Sequence, residues 1–419
     1  MKILLVGNGG REHALAWSIA DSPLTSELII APGSAAMESL GRCVSVAADD
    51  INGLVDLATS LPADLVVIGP EVPLVAGLAD RLAAANIPAF GPSAAAAQLE
   101  GSKEFAREMC RKHGIPQPAF HAITTAEEAA THIEAMDGYC VIKADGLAAG
   151  KGVVVADTAA EATAAVAEML DGRFGAAGEQ ILVEERISGP EASLFALLDG
   201  ADCHFMASAQ DHKRAYDNDE GPNTGGMGAI SPSPRMDDTL VATAMREIVA
   251  PLAKGMADAG MPYRGILYVG LMLTEDGPKV IEFNCRFGDP EAQVILPRLK
   301  SDIVSAMMAC VDGALGHFTL RWDDRSAVTV VMASKGYPGS YEKGTTITQL
   351  DAAAAMDDVL IFHAGTGRAD DGSIIATGGR VLNVTAMGED AASARAAAYK
   401  AVAAIDWPGG FYRTDIAAS

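Results

Sequence analysis

The stretch Val280-Ile281-Glu282-Phe283-Asn284-Cys285-Arg286-Phe287-Gly288-Asp289-Pro290 sets two oxygen ligands and a guanidinium behind an apolar run. Glu282 and Asn284 stand two apart, so on a β-strand they point to one face, and Arg286 continues that alternation. Two hard oxygens side by side suit Mg²⁺, which takes one or two protein oxygens and fills its shell with nucleotide phosphates and water. Arg286 can then meet the phosphate charge that the metal leaves uncompensated. A strand running into a polar turn, with Glu282 paired to a lysine, would carry the same residues. The companions of this stretch elsewhere in the chain decide between the two.

With 419 residues the chain exceeds one ordinary core, and roughly two to four domains are expected. Its formal net charge of −24 repels nucleic acid and anionic membrane surfaces. A phosphorylated small molecule is not excluded, because a few cations and loop amides can invert the potential in one cleft. The six cysteines are scattered without a CxxC pair, which fits a reducing cytoplasm. The apolar start Met1-Lys2-Ile3-Leu4-Leu5-Val6 ends at Gly7, too short for a signal peptide, and no apolar stretch spans a bilayer. A cytoplasmic protein without nucleic-acid or membrane partners is expected.

Residues 1–101 alternate apolar runs, read as strands at 3–6, 27–31, 65–68 and 87–90, with helical patterns at 11–20 and about 75–85. Such alternation implies a parallel α/β sheet whose ligands sit beyond the strands' carboxyl ends. Residues 102–325 follow as a second, α+β domain, with a helix from 102 to about 113 and strands at 140–143, 152–156 and 181–184. Within it, 210–232 reads as irregular and turn-rich, too long for an ordinary connection and so suspected of function. Residues 326–419 form a small β-rich C-terminal domain, with strands at 327–333, 359–363 and 379–384 and a final helix at 391–404.

Glycine-rich turns carry the remaining chemistry. Gly7-Asn8-Gly9-Gly10-Arg11-Glu12 opens a helix, where backbone N–H groups and the helix N-terminus favour an anion. A dinucleotide fingerprint fails there, because its third glycine falls at Glu12 and the second strand ends in Ala31-Pro32 without an acid. A substrate phosphate is favoured, although a tight turn alone would also need these glycines. Lys143 and Lys151 flank a hairpin of small residues that resembles a phosphate clamp without the Walker spacing. Glu184-Glu185-Arg186-Ile187 and Glu191 lie between two strands, where carboxylates can meet ribose hydroxyls and backbone can meet an adenine edge. His212-Lys213-Arg214 and the glycines of 221–228 suit phosphate or carboxylate, and His212 is a candidate base. Lys335-Gly336 and Gly378-Gly379-Arg380 again set a cation beside glycine after a strand.

Taken together, these residues resemble the ATP-grasp ligases, and most closely the phosphoribosylamine–glycine ligase family. The resemblance rests on 7–15 (GNGGREHAL), 69–74 (GPEVPL), 142–153 (IKADGLAAGKGV), 210–214 (QDHKR), 221–228 (GPNTGGMG) and 281–291 (IEFNCRFGDPE), in one order along the whole chain. It implies an ATP-grasp core with a small lid at about 122–190, ATP with Mg²⁺ or Mn²⁺, and glycine and 5-phosphoribosylamine as small-molecule substrates of a monomer. It further implies Glu282 and Asn284 as metal ligands, Lys103, Lys143 and Lys151 on ATP phosphates, and Glu184, Glu185, Ile187 and Glu191 around adenosine. Arg286, Asp211, His212 and Lys213 would serve the transferring phosphoryl group. Gly9, Gly10, Arg11, Glu71, Asp289, Lys335 and Arg380 would hold the phosphoribosyl substrate, with the phosphate at either Gly9–Arg11 or Gly378–Arg380. One departure is that the preceding strand, 265–273, holds no carboxylate as a further metal ligand. A bicarbonate-using carboxylase would share the ATP-grasp motifs, whereas a nicotinamide dehydrogenase would need the missing glycine and acid.

Overall fold

A computed structural model describes residues 1–147, 152–173, 175–200 and 202–418. Five parallel strands form the N-terminal sheet, in the order Arg42–Cys43, Glu27–Pro32, Lys2–Gly7, Leu65–Ile68, Ala89–Phe90. Alternate residues of Lys2–Gly7 enter different cores, Leu4 and Val6 on one side and Ile3 and Leu5 on the other. The run is therefore apolar throughout because the sheet is covered on both faces. The helix expected near 75–85 is two pieces, Glu71–Val75 and Leu78–Ala84. Gly77 breaks it with a left-handed φ of +85°, a conformation that glycine adopts without strain.

The lid is an antiparallel sheet in the order Phe120–Ile123, Ile181–Glu185, Cys140–Ala144, Val153–Ala156. Helices Ala126–Ala135 and Ala159–Glu168 supply Ala129, Ile133, Ala162 and Val166 to its own small core.

The largest sheet runs through Gly277–Asn284, Arg264–Thr274, Glu191–Asp199, Cys203–Asp211, Gly228–Ser231, Ser326–Ser334, Arg380–Gly388 and Val359–His363. It crosses the boundary expected at 325, because Gly228–Ser231 pairs with Ser326–Ser334. The C-terminal β-rich segment thus extends the sheet of the central domain instead of closing on itself. The stretch 210–232 is also more regular than its sequence suggests, holding the hairpin Arg214–Tyr216 with Glu220–Asn223 before Gly228–Ser231. That hairpin is exposed and lacks apolar alternation, so it leaves no strand signal. It is tied down from outside, where Arg413 bonds the Arg214 carbonyl at 3.1 Å and Asp219 at 2.8 Å. Among the described residues, no helix is long and apolar enough to cross a membrane.

Candidate active site

Strands Arg264–Thr274 and Gly277–Asn284 pair with Tyr268 opposite Asn284 and Gly270 opposite Glu282, and the register then shifts. The shift leaves Ile281 as a bulge residue. Carbonyls at the bulge accept from cations: Val280 O from Arg107 at 3.0 Å, and Ile281 O from Arg107 at 2.9 Å and Lys143 at 3.0 Å. Arg107 also grips Glu184 with two nitrogens, at 2.7 and 2.9 Å, and Lys143 Nζ lies 2.8 Å from the same carboxylate. Burial alone would raise the Glu184 pKa, but Lys143 and Arg107 outweigh it and hold the group at about 2. Glu184 therefore ties the lid to the central domain, with both oxygens engaged by Arg107 and Lys143.

Above this layer, Lys213 Nζ lies 3.3 Å from Glu191 and 3.5 Å from Glu282. Lys103, at the start of the helix Lys103–His113, donates from Nζ to the Gly146 carbonyl at 2.8 Å. Against the upward pull of burial, Lys213, Lys143 and Lys103 keep Glu282 below the usual carboxylate range. Glu185 accepts from the Ala119 amide at 3.0 Å, and Ile187 lies in the loop before Glu191. Lys151 falls outside the described residues.

Arg286 is held from the N-terminal side. Its NH2 donates to Glu100 at 2.7 Å and to Asn284 Oδ1 at 3.2 Å, and its Nε donates to Glu71 at 3.2 Å. Burial opposes charge on Glu71, but Arg286 and Arg11 hold it at about 2. Neither Glu100 nor Arg107 carries a sequence signal, since each is a single charge on a helix and acquires its role only across segments.

Glu282 and Asn284 do share a face, as i and i+2 on one strand. Among the described residues no three His, Cys, Asp or Glu side chains converge to hold a metal, and Gly270, not a carboxylate, lies opposite Glu282. Two protein oxygens beside three lysines suit an ion whose remaining ligands are phosphate and water.

The glycine turn differs from its expectation. The Gly9 amide donates to Glu12 Oε2 at 2.8 Å, and a Cβ on Gly7 or Gly69 would meet the Glu12 side chain at 2.3 or 2.5 Å. The Glu12 carboxylate thus caps the start of the helix Gly10–Ala20. Arg11 is buried between Glu12, the Phe287 carbonyl at 3.2 Å and Glu71 at 3.8 Å. Gly10 faces Asn383 and Gln293, which a Cβ would approach to 2.5 and 2.7 Å, so it serves close packing with the C-terminal segment. On that side, Arg380 bonds the Asp289 carbonyl at 2.6 Å and its carboxylate at 3.2 Å. Ser334, the neighbour of exposed Lys335, takes the Gly379 carbonyl at 2.8 Å.

His212 is not placed as a base. Its Nε2 accepts from the Ala417 amide at 3.2 Å, and burial followed by Arg413 pushes its pKa down to about 4. It anchors the C-terminal tail as a neutral ring. Asp211 ends its strand with Oδ1 buried and, among the described residues, without a partner. Burial and then Glu291 push its pKa well up.

The domains of phosphoribosylglycinamide synthetase match in order along the chain: the N domain at 1–100, the ATP-grasp (A) domain at 101–292 and the C domain at 327–419. A phosphoribosylamine–glycine ligase of Brucella melitensis is 51% identical over 416 residues, covering 99% of this chain and 97% of that protein. One from Caulobacter vibrioides is 52% identical over 417 residues, with 99% and 97% covered. The crystal structure of phosphoribosylamine–glycine ligase from Thermotoga maritima superposes with a TM-score of 0.87 at 31% identity, covering 99% and 100% of the two chains. The biotin carboxylase domain of a Hydrogenobacter thermophilus 2-oxoglutarate carboxylase, solved with MgADP, shares the fold with a TM-score of 0.75 at 16% identity, over 98% and 91%.

Proposed function

This chain belongs to the phosphoribosylglycinamide synthetase family, and from that premise we propose that it ligates glycine to 5-phosphoribosylamine with cleavage of ATP. It is an ATP-dependent ligase forming a carbon–nitrogen bond, with the product glycinamide ribonucleotide of purine biosynthesis. The observation that carries the reading is the convergence of Glu282 and Asn284 with Lys103, Lys143, Lys213 and Arg286 around one strand end.

In this reading a glycine carboxylate oxygen attacks the γ-phosphorus, the bond to the β–γ bridging oxygen breaks, and ADP departs from glycyl phosphate. The amine of phosphoribosylamine then attacks the carbonyl carbon, the bond to phosphate breaks, and the nitrogen loses a proton. No protein nucleophile is required. The protein aligns the reactants and offsets charge, Lys103 and Lys143 on the nucleotide phosphates, Lys213 and Arg286 on the transferring group. Glu282 and Asn284 would hold Mg²⁺ or Mn²⁺, which when bound neutralises phosphate charge. Glu185, Ile187 and Glu191 border adenosine, and Lys151 is a further phosphate ligand by its place in the sequence.

Residues 1–101 and 326–419 serve phosphoribosylamine, while 102–325, with the lid at about 122–190, serves ATP and glycine. Arg380 and Lys335 take the substrate phosphate, and Glu71, Arg11 and Asp289 frame the ribose side beside the Gly9–Gly10 turn. Because the Gly9 amide is already bonded to Glu12, the C-terminal cations are the better phosphate partners. The chain acts as a monomer, and its free thiols suit the cytoplasm.

ADP release with ATP and Mg²⁺, with glycine and phosphoribosylamine each present or omitted, tests the reading. Release that needs both is expected. Release with bicarbonate and none with glycine would overturn it.

A further inference from the structure

Arg286 carries five N–H groups in a rigid fork. Four of them meet acceptors among the described residues: Nε on Glu71 at 3.2 Å, NH2 on Glu100 at 2.7 Å and on Asn284 Oδ1 at 3.2 Å, and NH1 on the Phe287 carbonyl at 3.3 Å. The direction of the fifth follows from those four. Packing alone does not set it, because a hollow with room for about one water molecule borders Arg286 beside Ile68, Phe90 and Ile266. Of the two carboxylates, Glu100 is the better buried, its side chain 7% exposed against 26% for Glu71. It also takes the Cys285 amide at 2.7 Å and the Cys285 thiol at 3.1 Å. Its oxygens divide the work, Oε1 on the guanidinium and Oε2 on the backbone that follows Asn284. Glu100 is next to last in the helix Ala94–Gly101, and Ser102 then caps the helix Lys103–His113 by accepting from the Phe105 amide at 3.1 Å. Glu100 and Lys103 thus leave one short elbow.

We propose that Glu100 is a positioning residue for ATP cleavage, aiming the Arg286 guanidinium at the transferring phosphoryl group. The inference rests on the ligase reading for what Arg286 serves. Two acceptors are needed at once, because both oxygens of Glu100 face donors. A side-chain amide offers only one, and its NH2 would stand donor against donor toward either the guanidinium or the Cys285 amide. Glu100→Gln therefore keeps the size of the side chain and frees one of its two ends. Acting through Arg286, Glu100 should show in kcat more than in substrate binding. The helix that closes the N-terminal segment then contributes to ATP cleavage as well.

The test measures ADP release by the whole chain with saturating glycine and phosphoribosylamine. Glu100→Gln should lower kcat by about 100-fold, the cost of misplacing a group by about 1 Å, while the ATP KM stays within about twofold. In an Arg286→Lys background the same substitution should lower kcat by less than about threefold, because its route is already cut. Glu100→Asp keeps two acceptors on a shorter stem and should recover part of the loss. Wild-type kcat in Glu100→Gln would overturn the assignment, as would a further loss of about 100-fold in the double variant. A lower melting temperature with unchanged kcat would mean that Glu100 only packs its helix, and would refute it equally. Should Glu100→Gln fail to fold, Glu100→Asp with and without Arg286→Lys decides by the same comparison. ADP release that answers another acid in place of glycine would overturn the ligase reading alone, since the Glu100 comparison is then made on that release.

Discussion

Replacing Glu184 with Gln removes a buried charge clamped by Arg107 Nε at 2.7 Å, Arg107 NH2 at 2.9 Å and Lys143 Nζ at 2.8 Å. The carboxyl is held at about 2 against an ordinary 4.5, which at 1.36 kcal/mol per tenfold amounts to about 3 kcal/mol. Breaking a buried pair by removing one partner gives an independent figure of about 3–5 kcal/mol, because the surviving cations stay uncompensated. The Gln carbonyl can still accept one bond, so about 3 kcal/mol is the expectation. In a multidomain chain the loss is best read locally, by hydrogen exchange in Cys140–Ala144 and Ile181–Glu185. The sign with pH is fixed. A depressed carboxyl contributes stability that is complete above the unfolded value of 4.5 and is lost as pH falls toward about 2. The difference between wild type and Glu184→Gln should therefore be constant near neutrality and shrink below about pH 4.5. A difference under about 1 kcal/mol, or one that persists unchanged into acid, would refute the clamp.

Glu282→Ala should abolish most turnover and weaken Mn²⁺ binding in a paramagnetic titration, and near-normal values of both would remove the metal assignment. Arg380→Ala is expected to raise the phosphoribosylamine KM about tenfold or more with little change for ATP, whereas an unchanged KM would return the phosphate to the Gly9–Arg11 turn. Gly10→Ala places a methyl against the Asn383 and Gln293 amides and should cost about 1–3 kcal/mol, seen as a lower melting temperature. His13 accepts from the His363 amide at 2.8 Å, and burial, then His363, lowers its pKa to about 4 from 6.5. The unfolded chain binds that proton first, so stability should fall as pH drops from about 6.5 toward 4, and His13→Asn should flatten the slope. An identical slope in the variant would mean that other groups carry it.

Much of the fold was legible because periodicity and turn chemistry are local. The strand Leu65–Ile68, the strand Val359–His363 and the helix Ala391–Ala404 fall where their apolar spacing puts them. The helix broken at Gly77 and the hairpin of 214–223 escaped for the same physical reason. Gly77 supplies a backbone conformation that spacing does not reveal, and the hairpin draws its order from Arg413, far along the chain.

At the site, the sequence by itself determined the chemical inventory. Glu282 and Asn284 two apart on a strand must share a face, and lysines at glycine-rich turns in so acidic a chain point to phosphate. Which groups remain available to a ligand is a tertiary matter. Glu184, Arg11 and His212 all looked free, yet each is engaged by a partner brought from another segment. Asp211 shows the converse, a carboxylate whose Oδ1 the fold buries without a donor among the described residues. Spacing fixes what a strand presents on its own. Desolvation and pairing depend on neighbours far along the chain, and only the folded chain decides which charges are satisfied.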